Sequence, residues 1–159
     1  KRIEQAIDTV RDLPGVVLDI VGSGWWEDQL RTYAADLGDR VIFHGHVGDD
    51  LKHALLARSA LHLMPSAKEG WGIAVIEAAQ HGVPTIGYRE AGGLRDSITD
   101  GETGVLVDNE AEFRAAVRAL VEDAARRASL GDAARSRAAH YSWPETGRKF
   151  ASLLRRVVG

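Results

Sequence analysis

Two glutamates, Glu69 and Glu77, stand eight residues apart around Gly70-Trp71-Gly72 and the apolar run Ile73-Ala74-Val75-Ile76. Ionised carboxylates only accept hydrogen bonds, so a spaced pair suits a ligand rich in hydroxyls. The glycines read as a loop that opens into a helix, with Glu69 before it and Glu77 about one turn inside. A helix start presents unpaired backbone N–H groups and a partial positive charge of roughly half a unit. That end suits a phosphate. Phosphate and hydroxyls together point to a sugar nucleotide. Glu77 is set among Ile73, Val75, Ile76, Ala78 and Ala79, so its charge needs a partner.

Other glycine pairs could join such a site. Val21-Gly22-Ser23-Gly24 closes an apolar run and precedes a helical pattern. It has half of a dinucleotide fingerprint: Glu27 stands where the third glycine belongs, and the next strand ends in Phe43-His44 rather than an acid. A plain tight turn is as good a reading. Gly92-Gly93 would let backbone amides approach an anion closely, or is an ordinary loop. His44 and His46 form His-X-His with no third ligand nearby in sequence. A structural role fits them better than a metal site.

These residues need a scaffold that brings loops to one rim. Short apolar runs predict strands at 16–21, 40–44, 60–64, 84–88 and 105–107. Helical patterns predict helices at 2–11, 26–36, 50–58, 72–81, 94–98, 110–123, 124–140 with a break near Gly131, and 143–158. Asn109 with Glu112 and Ser142 with Glu145 read as N-cap pairs. The alternation implies an α/β domain, a Rossmann-like doubly wound parallel sheet with helices on both faces. In such sheets ligands bind beyond the carboxyl ends of the strands, which makes 22–25, 44–50, 65–72 and 89–93 the candidate loops.

Composition limits the alternatives. The chain has 159 residues, 45% of them hydrophobic, enough for one domain with a core. A net charge of -3 gives no support to nucleic-acid binding by bulk charge. Without cysteine there is no disulfide or thiolate metal site. No apolar run approaches the roughly 20 residues that span a bilayer. Lys1 opens directly into a helical pattern, so the polypeptide is expected to begin upstream. The final helix is basic through Arg148, Lys149, Arg155 and Arg156. Its apolar stripe of Phe150, Leu153, Leu154 and Val157 suits a packed face or a partner domain.

The sequence from Glu69 through Glu77-Ala78, then Gly82-Val83-Pro84-Thr85-Ile86 and Ala91-Gly92-Gly93, resembles the retaining GT-B glycosyltransferases of family 4. Leu18 through Gly24, Val41 through Val47, Gly101 through Val107 and Tyr141-Ser142-Trp143 match further segments of that family in order. Leu94-Arg95-Asp96 departs from it, since the family more often has Pro and Glu there. The resemblance covers nearly the whole chain. It implies the C-terminal, donor-binding half of a GT-B fold, with the first central strand and the acceptor-binding domain lying before Lys1.

The resemblance also implies roles. Glu69 would bond hydroxyls of the donor sugar and Glu77 those of the ribose. Amides around Gly70, Trp71, Gly72 and Ile73 would face the diphosphate, as would Lys1. Gly22, Gly24, Gly92 and Gly93 would line the donor, and Val47, Asp49 and Lys52 the base. A charge-assisted contact like that of Lys1 contributes about 1.5–3 kcal/mol. The implied reaction moves a hexose of mannose or glucose type from a GDP- or UDP-linked donor to an acceptor hydroxyl. It uses no cofactor and no metal. The expected location is cytoplasmic, with any association at the inner membrane face made through the full-length protein. A non-catalytic sugar-nucleotide module, a GT-B sugar-nucleotide epimerase and a nicotinamide-dependent oxidoreductase are the rivals.

Overall fold

The computed structural model describes residues 1–141 and 143–158, and the side chains of all of these except Trp143 and Val158. Strands and helices alternate as α1 (Ile3–Arg11), β1 (Leu18–Val21), α2 (Glu27–Tyr33), β2 (Val41–Gly45), α3 (Asp49–Arg58) and β3 (His62–Met64). There follow α4 (Ile73–Gln80), β4 (Thr85–Tyr88), α5 (Leu94–Ser97), β5 (Gly104–Val107), α6 (Glu110–Glu122), α7 (Ala124–Ala138) and α8 (Trp143–Val158). All strand pairs are parallel, as expected. However, they form two sheets, β1–β2 and β3–β4–β5, rather than one. Leu18 pairs with Val41, His62 with Thr85, and Thr85 with Gly104.

Each sheet has its own core. Ile86, Leu94, Phe113 and Leu120 are at most 1% exposed and fill the larger one. Burying such a side chain stabilises the fold by about 1.5–3 kcal/mol. β4 is buried along its whole length, which explains its continuous apolar reading. Ile7 of α1 packs with Leu30, Leu37 and Val41, against Leu18 and Ile20 of β1, in the smaller core. α1 also ties the two together. Tyr88 stacks on Phe113 at 5.4 Å and its hydroxyl donates to Gln5 Oε1 at 2.9 Å.

A cleft of about 870 Å³ separates the sheets. Val21 of β1 and Leu63 of β3 line it, with Val17 and Leu61 just before those strands. Val17 is 53% exposed there.

Three further expectations change. The predicted helix 26–36 stops at Tyr33 and gives way to 3-10 turns over Ala35–Arg40, which are interrupted at Gly38, where φ is 52. The predicted break near Gly131 is absent, and α7 runs unbroken. Gly131 serves a close approach instead: a Cβ there would lie 2.0 Å from the Gly82 carbonyl oxygen. The apolar stripe of α8 is not packed, with Phe150 64% and Val157 77% exposed. The Asn109 cap is present: Oδ1 accepts from the Glu112 amide at 3.0 Å, and the Glu112 carboxylate accepts back from the Asp108 amide. The Ser142 cap lies outside the described residues.

Candidate functional site

The loop from Pro65 to Gly72 leaves β3 and delivers Glu69 to the rim. It is held by a short parallel bridge to the Gly92 loop, in which the Glu69 amide donates to Ala91 O at 2.9 Å and the Gly93 amide to Glu69 O at 3.2 Å. This approach explains Gly93, where a Cβ would lie 2.0 Å from the Gly70 carbonyl oxygen. The Gly93 amide is therefore engaged by protein, so Gly92–Gly93 shapes the loop rather than offering both amides to an anion. Gly72 caps α4 at φ 82, a left-handed conformation that favours glycine. The Val75 amide donates back to Gly72 O at 2.9 Å, which leaves the amides of Ile73 and Ala74 as the ones a helix start holds without an intrahelical partner. Ile73 at that turn is 68% exposed.

The structure joins both carboxylates to lysines. Lys1 Nζ donates to Glu69 Oε1. Glu69 is largely buried, which pushes its carboxyl up, but hydrogen bonds from Lys1 and Ser66 outweigh this and hold its pKa below the ordinary range. Lys52 Nζ lies 2.8 Å from Glu77 Oε1 and 3.0 Å from Asp49 Oδ1. Those bonds, Glu77 first, raise the pKa of Lys52 and keep it charged. Lys52 also lowers the Asp49 carboxyl. The partner that the charge of Glu77 requires is thus Lys52, which reaches from α3 to α4. Beside it, desolvation pushes His62 down to about 4 against the opposing charge of Glu77.

The remaining sequence-predicted residues surround these pairs less tightly. Val47 lies in the loop before α3, and Asp49 is the first residue of that helix. Gly22 and Gly24 lie in the loop that follows β1. The Gly22 amide donates to Gly45 O at 2.7 Å, so the loops after β1 and β2 meet at one rim. Trp71 is 37% exposed and meets Tyr141 edge-on at 5.0 Å. His44 has a structural partner in Asp19, 2.7 Å from its Nε2. Among the described residues no group of three or more His, Cys, Asp or Glu could hold a metal ion.

Two contributors were missed in the sequence. Ser66, 1% exposed, supports the Glu69 carboxylate; a serine directly after a strand-ending proline was its only signal. Tyr141 backs Trp71 from beyond α7, a contact between distant residues that no local pattern carries. Chemically, the site offers two hydroxyl-accepting carboxylates, a helix start open to an anion, and two cations at its edge.

A model of the glycosyl transferases group 1 family matches residues 1–137. Among relatives, a GDP-mannose-dependent alpha-(1-6)-phosphatidylinositol monomannoside mannosyltransferase of Mycolicibacterium smegmatis is 33% identical over 156 residues. That match covers 91% of this chain and 41% of the relative. A glycogen synthase of Mycobacterium tuberculosis is 34% identical over 133 residues, covering 80% of this chain and 31% of that protein. Among solved structures, the sucrose-phosphate synthase of Thermosynechococcus elongatus superposes with a TM-score of 0.87 at 26% identity. It matches over 98% of this chain and 42% of its own. The chain therefore spans well under half the length of these proteins. With the alternating parallel fold and the ordered motifs around Glu69 and Glu77, these matches show that the chain belongs to the glycosyl transferases group 1 family, with the architecture of one GT-B domain.

Proposed function

We propose that the chain is the donor-binding half of a retaining glycosyltransferase, acting with an acceptor-binding domain that precedes it. The donor is a nucleoside-diphosphate hexose of mannose or glucose type, linked to GDP or UDP. The single observation that carries this reading is the paired arrangement of Lys1 with Glu69 and Lys52 with Glu77 around the open start of α4. Sugar hydroxyls meet Glu69 and ribose hydroxyls meet Glu77. The diphosphate lies against the α4 start and Lys1. Val47 and Asp49 line the base. A GDP-mannose-dependent relative supports the mannose and guanine versions.

In the reaction the bond from the anomeric carbon to the diphosphate oxygen breaks. Its electron pair leaves with the diphosphate, and the acceptor oxygen bonds the anomeric carbon and passes its proton to the departing diphosphate oxygen. Charge grows on the leaving diphosphate, where preorganised amides and Lys1 stabilise it most. Glu69 fixes the sugar for that step. The acceptor comes from the other domain, so the isolated chain binds nucleotide weakly and transfers nothing.

The test is a transfer assay on the full-length polypeptide and on this chain, with thermal shifts against GDP, UDP and NAD. Transfer by the full-length protein alone, with GDP or UDP raising Tm and NAD not, is expected. Robust transfer by the 159-residue chain contradicts the division of labour, and stabilisation by NAD alone favours an oxidoreductase.

A further inference from the structure

Gly70-Trp71-Gly72 joins Glu69 to the start of α4. Before this segment, the bridge to Ala91 and Gly93 holds the Glu69 backbone. After it, α4 begins at Ile73. A glycine on either side of Trp71 leaves the backbone between these anchors wide conformational freedom. Trp71 is the one side chain through which packing can fix the segment. The segment matters because it sets the distance from the Glu69 carboxylate to the amides of Ile73 and Ala74.

Trp71 belongs to a closed ring of contacts. Its indole meets the Tyr141 ring at 5.0 Å between centroids and 72° between planes, an edge-to-face arrangement that aromatic rings favour. Tyr141 lies just past α7, where its amide donates to Ala138 O at 3.0 Å. The Arg137 guanidinium carbon lies 5.9 Å from the centre of the Tyr141 ring, within cation–π range. Arg137 Nη2 donates to Asp96 O at 2.7 Å. Asp96 belongs to α5, which is capped by Gly93. Gly93 in turn lies against the loop, since a Cβ there would be 2.0 Å from Gly70 O and 2.7 Å from the Trp71 Cα. The loop is thus gripped at its backbone by Gly93 and at its side chain by Tyr141, and Arg137 ties the two grips together. Trp71 is 37% and Tyr141 38% exposed, and neither belongs to either sheet's core. Core packing therefore does not account for their contact.

We infer that Tyr141 is a positioning residue for sugar transfer, acting through Trp71, with Arg137 holding Tyr141 in place. The inference rests on the reading of Glu69 as the donor-sugar carboxylate. The two ends of the bond that breaks are addressed across this segment, the sugar at Glu69 and the diphosphate at Ile73 and Ala74. A misplacement of about 1 Å between them can cost about 100-fold in rate, while each end still binds its own group. Loss of the Tyr141 ring therefore lowers kcat more than nucleotide affinity.

Initial-rate transfer assays and nucleotide titrations on the full-length protein test this. Tyr141→Leu should lower kcat about tenfold or more and change the Kd for GDP or UDP by less than about twofold. Tyr141→Phe keeps the ring that meets Trp71 and should recover kcat to within about threefold of the parent protein. Trp71→Leu should also lower kcat, and combining it with Tyr141→Leu should be no worse than the worse single change. Unchanged kcat in Tyr141→Leu overturns the inference. Equal losses of kcat and nucleotide affinity mark a structural role alone and overturn it too. So do a Tyr141→Phe protein as slow as Tyr141→Leu and fully additive losses in the double variant. Should Tyr141→Leu fail to fold, Arg137→Met tests the same ring of contacts: kcat should fall about two- to fivefold, and no change overturns the inference. Glu69→Ala is the reference. If it transfers normally, the donor reading falls and this inference with it. If it is inactive while Tyr141→Leu is not, this inference falls alone.

Discussion

The two lysine–carboxylate pairs look alike but are built differently. Glu69 sits on a loop pinned to the Gly92 turn, and its cation comes from the first residue of the chain, 63% exposed. Glu77 sits inside α4, and its cation comes from α3, 26% exposed. The first pair joins a shaped loop to an exposed lysine that lies outside any helix. The second joins two rigid helices. The contrast divides the work: a carboxylate paired with an exposed lysine at the loop suits the reacting sugar, and one paired between two helices suits the ribose.

The largest effect should come from breaking the first pair. Glu69→Ala in the full-length enzyme is expected to lower kcat roughly 100-fold or more in an initial-rate transfer assay, with nucleotide affinity changing little. The second pair has a pH-sensitive neighbour in His62. His62 has a pKa of about 4 in the fold against 6.5 unfolded. The unfolded chain thus takes up the proton first. Stability is full above about pH 6.5 and falls toward pH 4, by about 3 kcal/mol from this group. Urea unfolding across that range should show the loss, and His62→Gln should remove this part of it.

Glu77→Ala is expected to raise the Kd for GDP or UDP about 10- to 100-fold, with kcat changed less, read by calorimetry and kinetics. A larger loss of kcat than of affinity would erase the contrast between the pairs. Lys52→Met should have the smallest effect, about tenfold in Kd, rescued in part by Lys52→Arg. Equal effects from Lys52→Met on kcat and Kd would mean that Lys52 also serves the reacting centre.

Much of this was legible because local rules carried it. Continuous apolar runs located each strand within two residues, as at β4, where both faces are covered. Asn109 with Glu112 located the start of α6. Glu77 on an apolar helix demanded a partner, though not which one; Lys52 is 25 residues away. What could not be read depends on packing. Gly131 looked like a helix breaker because its contact with Gly82 is tertiary. Gly93 looked like an anion turn because its bond to the Glu69 carbonyl is not local. The split of the sheet was equally invisible, since short strands carry no record of their neighbours.

The most direct test of the donor site is a calorimetric cycle on the full-length protein, crossing Glu77→Ala with removal of the ribose hydroxyls. GDP and UDP would each be titrated beside their 2′,3′-dideoxy forms. At least one natural nucleotide should bind, and dideoxy substitution should weaken it about as much as Glu77→Ala does. Applied together, the two changes should be no worse than either alone. Fully additive losses, or a Glu77→Ala protein that still distinguishes ribose from dideoxyribose, would contradict the account.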